Sequence, residues 1–136
     1  MTPNYIDHIG IAVNSLNESI PLFEKLLGTK CYAIEEVLDQ YVKTAFFLVG
    51  ETKIELLESM DPQGPISLFL EKNGPGVHHI AFAVDNTNVA LNNAKLAGFR
   101  LIDSVSRKGA EGMEIGFLNP KNTNRVLIEY CSKKIY

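Results

Sequence analysis

Three histidines occur in this 136-residue chain, and two of them, His8 and His79, stand in closely matching surroundings. His8 lies in Asp7-His8-Ile9-Gly10-Ile11-Ala12-Val13. His79 lies in His78-His79-Ile80-Ala81-Phe82-Ala83-Val84, 71 residues further on (8 to 79). Two glutamates repeat in the same way: Glu55 in Lys53-Ile54-Glu55-Leu56-Leu57 and Glu129 in Leu127-Ile128-Glu129-Tyr130-Cys131, 74 residues apart (55 to 129). A carboxylate inside so apolar a run must face water, be paired, or bind a cation. Two imidazoles and two carboxylates from matching places make a four-ligand set suited to Co, Ni, Mn, Zn or Fe, with coordination positions left for water or substrate. One histidine on a strand is ordinarily structural, and one glutamate in an alternating strand is ordinarily its wet face. The coincidence of both pairs is what points to a metal.

Positioning such residues requires rigid elements, and the chain spells them out twice. Residues 5–13 and 76–84 alternate and are rich in β-branched side chains, so each reads as a strand. Ser15-Leu16-Asn17-Glu18 is a capping-box pattern that opens a helix, and Leu16, Ile20, Phe23 and Leu27 fall on one helical face. Pro21 is awkward at that register, so the helix either kinks there or starts late with Ser19 as its cap. In the second copy Asn86 to Asn88 supply the cap, and Ala90, Ala94 and Ala97 give a narrow face for close packing. Gly28 and Gly98 close the two helices. A strand follows in each copy, Ala45-Phe46-Phe47-Leu48 matching Ile115-Gly116-Phe117-Leu118, and then the glutamate strand. Between the copies, Pro65 and Gly74 bracket a short linking helix. Lys133 to Tyr136 read as a loose tail.

Alternation along the strands also separates the two adjacent histidines. His8 shares its face with Gly10 and Ala12, and His79 shares its face with Ala81 and Ala83. The opposite faces carry the bulk that belongs against a helix. Small neighbours leave a concavity beside each of these imidazoles. His78 matches Asp7 rather than His8 and reads as structural.

Bulk properties exclude several classes. With 13 Lys and Arg against 16 Asp and Glu, the net charge is −3. No basic stripe for nucleic acid is present, and any anionic ligand must be held by local groups. No apolar run approaches a membrane span and the N-terminus does not read as a secretory signal, so a cytoplasmic protein is expected. Cys31 and Cys131 both sit among apolar residues and read as free, buried thiols.

The two histidine segments resemble those of the vicinal oxygen chelate superfamily, which includes glyoxalases, bleomycin-resistance proteins and dioxygenases. Nearly the whole chain is similar to its methylmalonyl-CoA epimerase family. The likeness rests on Leu26-Leu27-Gly28, Val42-Lys43-Thr44-Ala45-Phe46-Phe47, Gly50-Glu51-Thr52-Lys53-Ile54-Glu55-Leu56-Leu57-Glu58, Pro65-Ile66, Lys108-Gly109-Ala110, Asn119-Pro120-Lys121 and Val126-Leu127-Ile128-Glu129. The Thr-Lys-Ile-Glu-Leu-Leu and Gly-Val-His-His-Ile runs together are its most specific part. The resemblance implies an α+β fold, two tandem βαβββ modules forming a cupped mixed sheet around a metal site. It implies one domain over residues 1–136, with modules over about 4–60 and 76–132 and the linking helix over about 64–74. It further implies a homodimer and a divalent cation held by His8, Glu55, His79 and Glu129, while the charge and hydropathy above leave no membrane or nucleic-acid partner expected. Co²⁺ is the expected ion, with Ni²⁺, Mn²⁺ or Zn²⁺ as alternatives. Three departures stand out: Asn119 where the family often has His, Arg125 where many members have Gly, and Thr44 where some carry a glutamate as acid/base.

The expected reaction interconverts the (2R) and (2S) epimers of an acyl-CoA, methylmalonyl-CoA. A proton must leave a carbon between a thioester and a carboxylate, the enolate must be stabilised, and a proton must return on the other face. Glu129, by analogy with relatives in which a ligating Glu serves as base, and Glu55 as its counterpart are the expected acid/base groups. Lys43, Lys108 and Lys121 are candidates for the CoA phosphates, although solvated surface lysines are the plainer reading. Three rivals use the same framework. A glyoxalase-type isomerase would use the same four ligands. A small-molecule-binding protein typically loses them. A dioxygenase would need only two His and one carboxylate on iron.

Overall fold

The structure is a computed structural model that describes residues 2–134. The fold is α+β. Its elements in chain order are β1 (Tyr5–Ala12), α1 (Leu16–Leu27), β2 (Ala33–Val37), β3 (Val42–Val49), β4 (Thr52–Ser59), α2 (Pro65–Asn73), β5 (Gly76–Ala83), α3 (Thr87–Leu96), β6 (Arg107–Lys108), β7 (Glu114–Leu118) and β8 (Ile128–Ser132). Two compact units result, one over His8–His78, the other formed by the residues up to Asp7 together with those from His79 onward. The opening residues belong to the second unit because Asn4 donates its backbone N–H to the Ala83 carbonyl at 2.8 Å and its side-chain amide to Asp85 at 3.0 Å. Among the described residues, no helix is long and apolar enough to cross a membrane.

Each unit has the same topology. In the first, the strand order is β2-β3-β4-β1. β2, β3 and β4 pair antiparallel, while β1 runs parallel to β4. In the second, the order is β5-β8-β7-β6, with β5 parallel to β8 and the rest antiparallel. A strand parallel to one later in the chain needs a crossover, and α1 and α3 begin those crossovers.

The helices form for the reasons the sequence supplies. Ser15 caps α1 by accepting the Glu18 N–H at 3.3 Å. Glu58, reaching from β4, accepts the Leu16 N–H at 2.8 Å. The helix therefore starts at Leu16 and runs through Pro21, so a late start at Ser19 is not what the chain adopts. Leu16, Ile20, Phe23 and Leu27 pack with Val13, Ala45, Phe47 and Leu56 into one core. In the second unit Asn86 caps α3 by accepting the Val89 N–H at 3.1 Å. Ala97 is the C-cap rather than part of the packing face. That face is instead Ala90, Leu91 and Ala94, lying over Leu118, Ile128 and Tyr130. α2 has Pro65 at its first position and closes at Gly74.

The register corrects one equivalence. Phe46 pairs with Glu55 and Phe117 pairs with Glu129. Phe46 therefore corresponds to Phe117, Ala45 to Gly116 and Thr44 to Ile115. The four-residue match made on composition is off by one, and a one-residue slip exchanges the two faces of a strand. Both cysteines are free, but only Cys131 is buried. Cys31 is half-buried, with its Sγ 3.2 Å from the Ala33 carbonyl. Of the expected tail, Lys133 and Lys134 are exposed and outside any strand, while Ile135 and Tyr136 lie outside the described residues.

Candidate metal and active site

In the first unit, β1 and β4 set His8 beside Glu55. The register aligns Gly10 with Glu55 and His8 with Lys53, so both side chains leave the same face of the sheet. A glycine directly across from Glu55 leaves room for the carboxylate to reach the imidazole. His8 Nδ1 stands 3.2 Å from Glu55 Oε2. The second unit repeats this with β5 and β8: Ala81 aligns with Glu129, and His79 Nε2 stands 3.4 Å from Glu129 Oε1. All four residues are buried, at 6 %, 4 %, 5 % and 3 % exposure respectively. Burial rules out the wet-face reading of both glutamates, since an ionised carboxylate this deep has to be compensated.

The spacing within each pair also fits a shared cation. Ligand atoms about 2.0–2.2 Å from an ion are separated from each other by about 3.0 Å at right angles and about 3.4 Å at the tetrahedral angle. The N···O distances of 3.2 and 3.4 Å lie in that interval. Imidazole plus carboxylate is a donor set for a divalent first-row metal.

Further groups share these faces. In the first unit Phe46 and Thr44 lie on the Glu55 side of β3, and Thr44 is 1 % exposed. No carboxylate occupies that third-strand position. Across from Thr44 on β2 is Glu35, half-buried. In the second unit Phe117 lies on the Glu129 side and meets the His79 ring edge-on, with centroids 5.6 Å apart at 84°. Arg107 pairs with Ile115, the counterpart of Thr44, so Arg107 is the counterpart of Glu35. Its guanidinium carbon lies over the Phe117 ring, 5.5 Å from the centroid. The sequence reading missed Glu35 and Arg107. Each sits in a short segment whose partner strand cannot be fixed by local pattern, and two residues of β6 carry no period to detect.

His78 is a structural histidine. Its ring meets Phe69 of α2 edge-on at 5.1 Å and 82°. Burial lowers its pKa from 6.5 to about 4, which keeps it neutral and unsuited to carry protons at neutral pH. Of the lysines considered for phosphate contacts, Lys43 pairs with Glu58 across β3 and β4, on the face opposite Glu55. Lys121 lies in the turn after β7. Lys108 lines a cleft of about 290 Å³ with Arg107, Met113 and Lys134.

Comparison with known proteins finds relatives over nearly the whole chain. A family model described as the Glyoxalase/Bleomycin resistance protein/Dioxygenase superfamily matches residues 7–117. An uncharacterized Bacillus subtilis protein, YqjC, is 42% identical over 131 residues, spanning 96% of this chain and 94% of the relative. The ethylmalonyl-CoA/methylmalonyl-CoA epimerase of Cereibacter sphaeroides is 36% identical over 126 residues, spanning 91% and 94%. A Streptomyces coelicolor methylmalonyl-CoA epimerase variant in complex with 2-nitronate-propionyl-CoA superposes with a TM-score of 0.93 at 30% identity, covering 97% of this chain and 96% of that one.

Proposed function

The chain belongs to the Glyoxalase/Bleomycin resistance protein/Dioxygenase superfamily, and from that membership we propose that it is an acyl-CoA epimerase that interconverts (2R)- and (2S)-methylmalonyl-CoA. Its likeness to epimerases over nearly its full length supports the substrate class. The observation that carries the reading is the buried His–Glu pair present once in each unit, at matching positions.

His8, Glu55, His79 and Glu129 would together hold one divalent cation, Co²⁺ in the first instance, with Ni²⁺, Mn²⁺ or Zn²⁺ as substitutes. When bound, such an ion supplies Lewis acidity toward the thioester and carboxylate oxygens that flank C2. Everything else falls to the chain. Glu129 takes the C2 proton. Glu55, having picked up a proton from solvent before the substrate binds, delivers it to the enolate, and solvent then resets both carboxyl groups. Each carboxylate has two oxygens, so one can hold the cation while the other exchanges a proton. Phe46 and Leu57 beside Glu55, and Ala81 and Phe117 beside Glu129, are all buried. They keep bulk water from reprotonating the enolate indiscriminately. Thr44 has a hydroxyl too weakly acidic to carry protons at neutral pH, which is why the second acid/base role is assigned to Glu55.

Proton exchange tests this. In deuterium oxide, Co²⁺-loaded protein should introduce deuterium at C2 of (2R)-methylmalonyl-CoA while the (2S) epimer accumulates. Turnover of a glutathione hemithioacetal without exchange at C2 would instead identify a glyoxalase-type isomerase.

A further inference from the structure

We propose that Arg107 is a specificity-determining residue that binds the free carboxylate of the acyl group. This rests on the acyl-CoA reading above and adds the residue that would distinguish a carboxylated thioester from an uncarboxylated one.

Four observations within the second unit carry it. First, register puts Arg107 on the working face of the sheet: it pairs with Ile115, which shares a face with Phe117, and Phe117 pairs with Glu129. Second, the guanidinium is held in place. Its Nε donates to Asp103 Oδ1 at 3.1 Å, Asp103 Oδ2 accepts the Phe117 N–H at 2.9 Å, and the guanidinium carbon rests over the Phe117 ring at 5.5 Å. One carboxylate thus fixes both the arginine and the strand that carries the ring beneath it. Third, among the described residues the only polar partner of the guanidinium is Asp103, through Nε. The Nη donors, which form the fork that matches a carboxylate, have no partner among the described residues, and the side chain is 38 % exposed. Fourth, Phe117 touches both Arg107 and His79, so the guanidinium carbon is within about 11 Å of the His79 ring centre.

Charge supports the assignment. The chain is net negative, and Glu55, Glu129 and Glu35 all lie on the working faces of their sheets. An anionic acyl group therefore needs a local cation besides any metal. The duplication sharpens the point: the position that is Glu35 in the first unit is Arg107 in the second.

The test compares two thioesters that differ only in that carboxylate. Binding of malonyl-CoA and of acetyl-CoA to Co²⁺-loaded protein is measured by calorimetry, for the wild type, Arg107→Met and Arg107→Lys. Loss of a charge-assisted contact should weaken malonyl-CoA about tenfold or more in Arg107→Met. Acetyl-CoA should change less than about twofold, and Arg107→Lys should fall between. Equal weakening of both thioesters would overturn the proposal, because Arg107 would then be serving the coenzyme or the fold. So would unchanged discrimination in both variants. If the wild type binds neither thioester, the acyl-CoA reading fails and this inference falls with it, a result distinct from the other two.

Discussion

At the scale of single residues, the proposed chemistry rests on four buried side chains, and their substitution separates holding from proton transfer. Glu129→Gln keeps the shape of the side chain and removes the base. General acid–base groups contribute about a hundredfold or more. Deuterium incorporation at C2 should therefore fall by at least that factor, while the thermal midpoint of the metal-loaded protein stays within a few degrees. A variant that retained metal and near-normal exchange would remove Glu129 from the base role. His78 makes a different prediction. Its folded pKa of about 4 lies below the ordinary 6.5, so the unfolded chain binds the proton more readily between those values. Stability is then lost as pH falls from about 6.5 to about 4, by up to about 3 kcal/mol, and the loss levels off below that. His78→Phe preserves an aromatic contact with Phe69 and should flatten this part of the stability–pH curve in urea titrations. An unchanged slope would mean that His78 does not carry it.

At the scale of elements, the helix–sheet contacts are close enough to be tested by one methyl group. A Cβ at Gly116 would stand 2.6 Å from Leu91 Cδ1, and Leu91 is fully buried. Gly116→Ala should therefore cost about 1–3 kcal/mol, as overpacking does, measured by urea unfolding. Ala45, its counterpart, already carries that Cβ in the first unit, where α1 packs through Phe23 and Ile20 instead. This asymmetry shows how far the sequence could be read. The helices were legible from caps and periodicity: Ser15, Asn86 and the face of Leu16, Ile20, Phe23 and Leu27 all behave as their positions require. Pro21 was ambiguous because its cost is local, while the compensation from Phe23 and Leu27 packing on the sheet is tertiary. The third strand was misaligned because Phe-Phe in one copy faces Gly-Phe in the other. Only the pairing of Phe46 and Phe117 with the two glutamates fixes the register.

At the scale of the whole molecule, duplication is the organising fact. Each unit supplies one histidine from a strand and one glutamate from the strand parallel to it, at 3.2 and 3.4 Å. The repeat made those four residues visible before any coordinates, because matching positions in two copies are a stronger signal than any residue alone. What stayed hidden was Arg107 and Glu35, which lie on short or unpatterned strands and become neighbours of the site only through pairing. The proposed epimerase depends on the two pairs acting on a single ion. The most direct measurement is a Co²⁺ titration of metal-free protein, followed by cobalt absorption and elemental analysis, for the wild type, His8→Ala and His79→Ala. One Co²⁺ per chain is predicted for the wild type, with tight binding lost in either variant although each leaves the other pair intact. Two ions per chain, or a single ion held equally well when one of the pairs is broken, would contradict it.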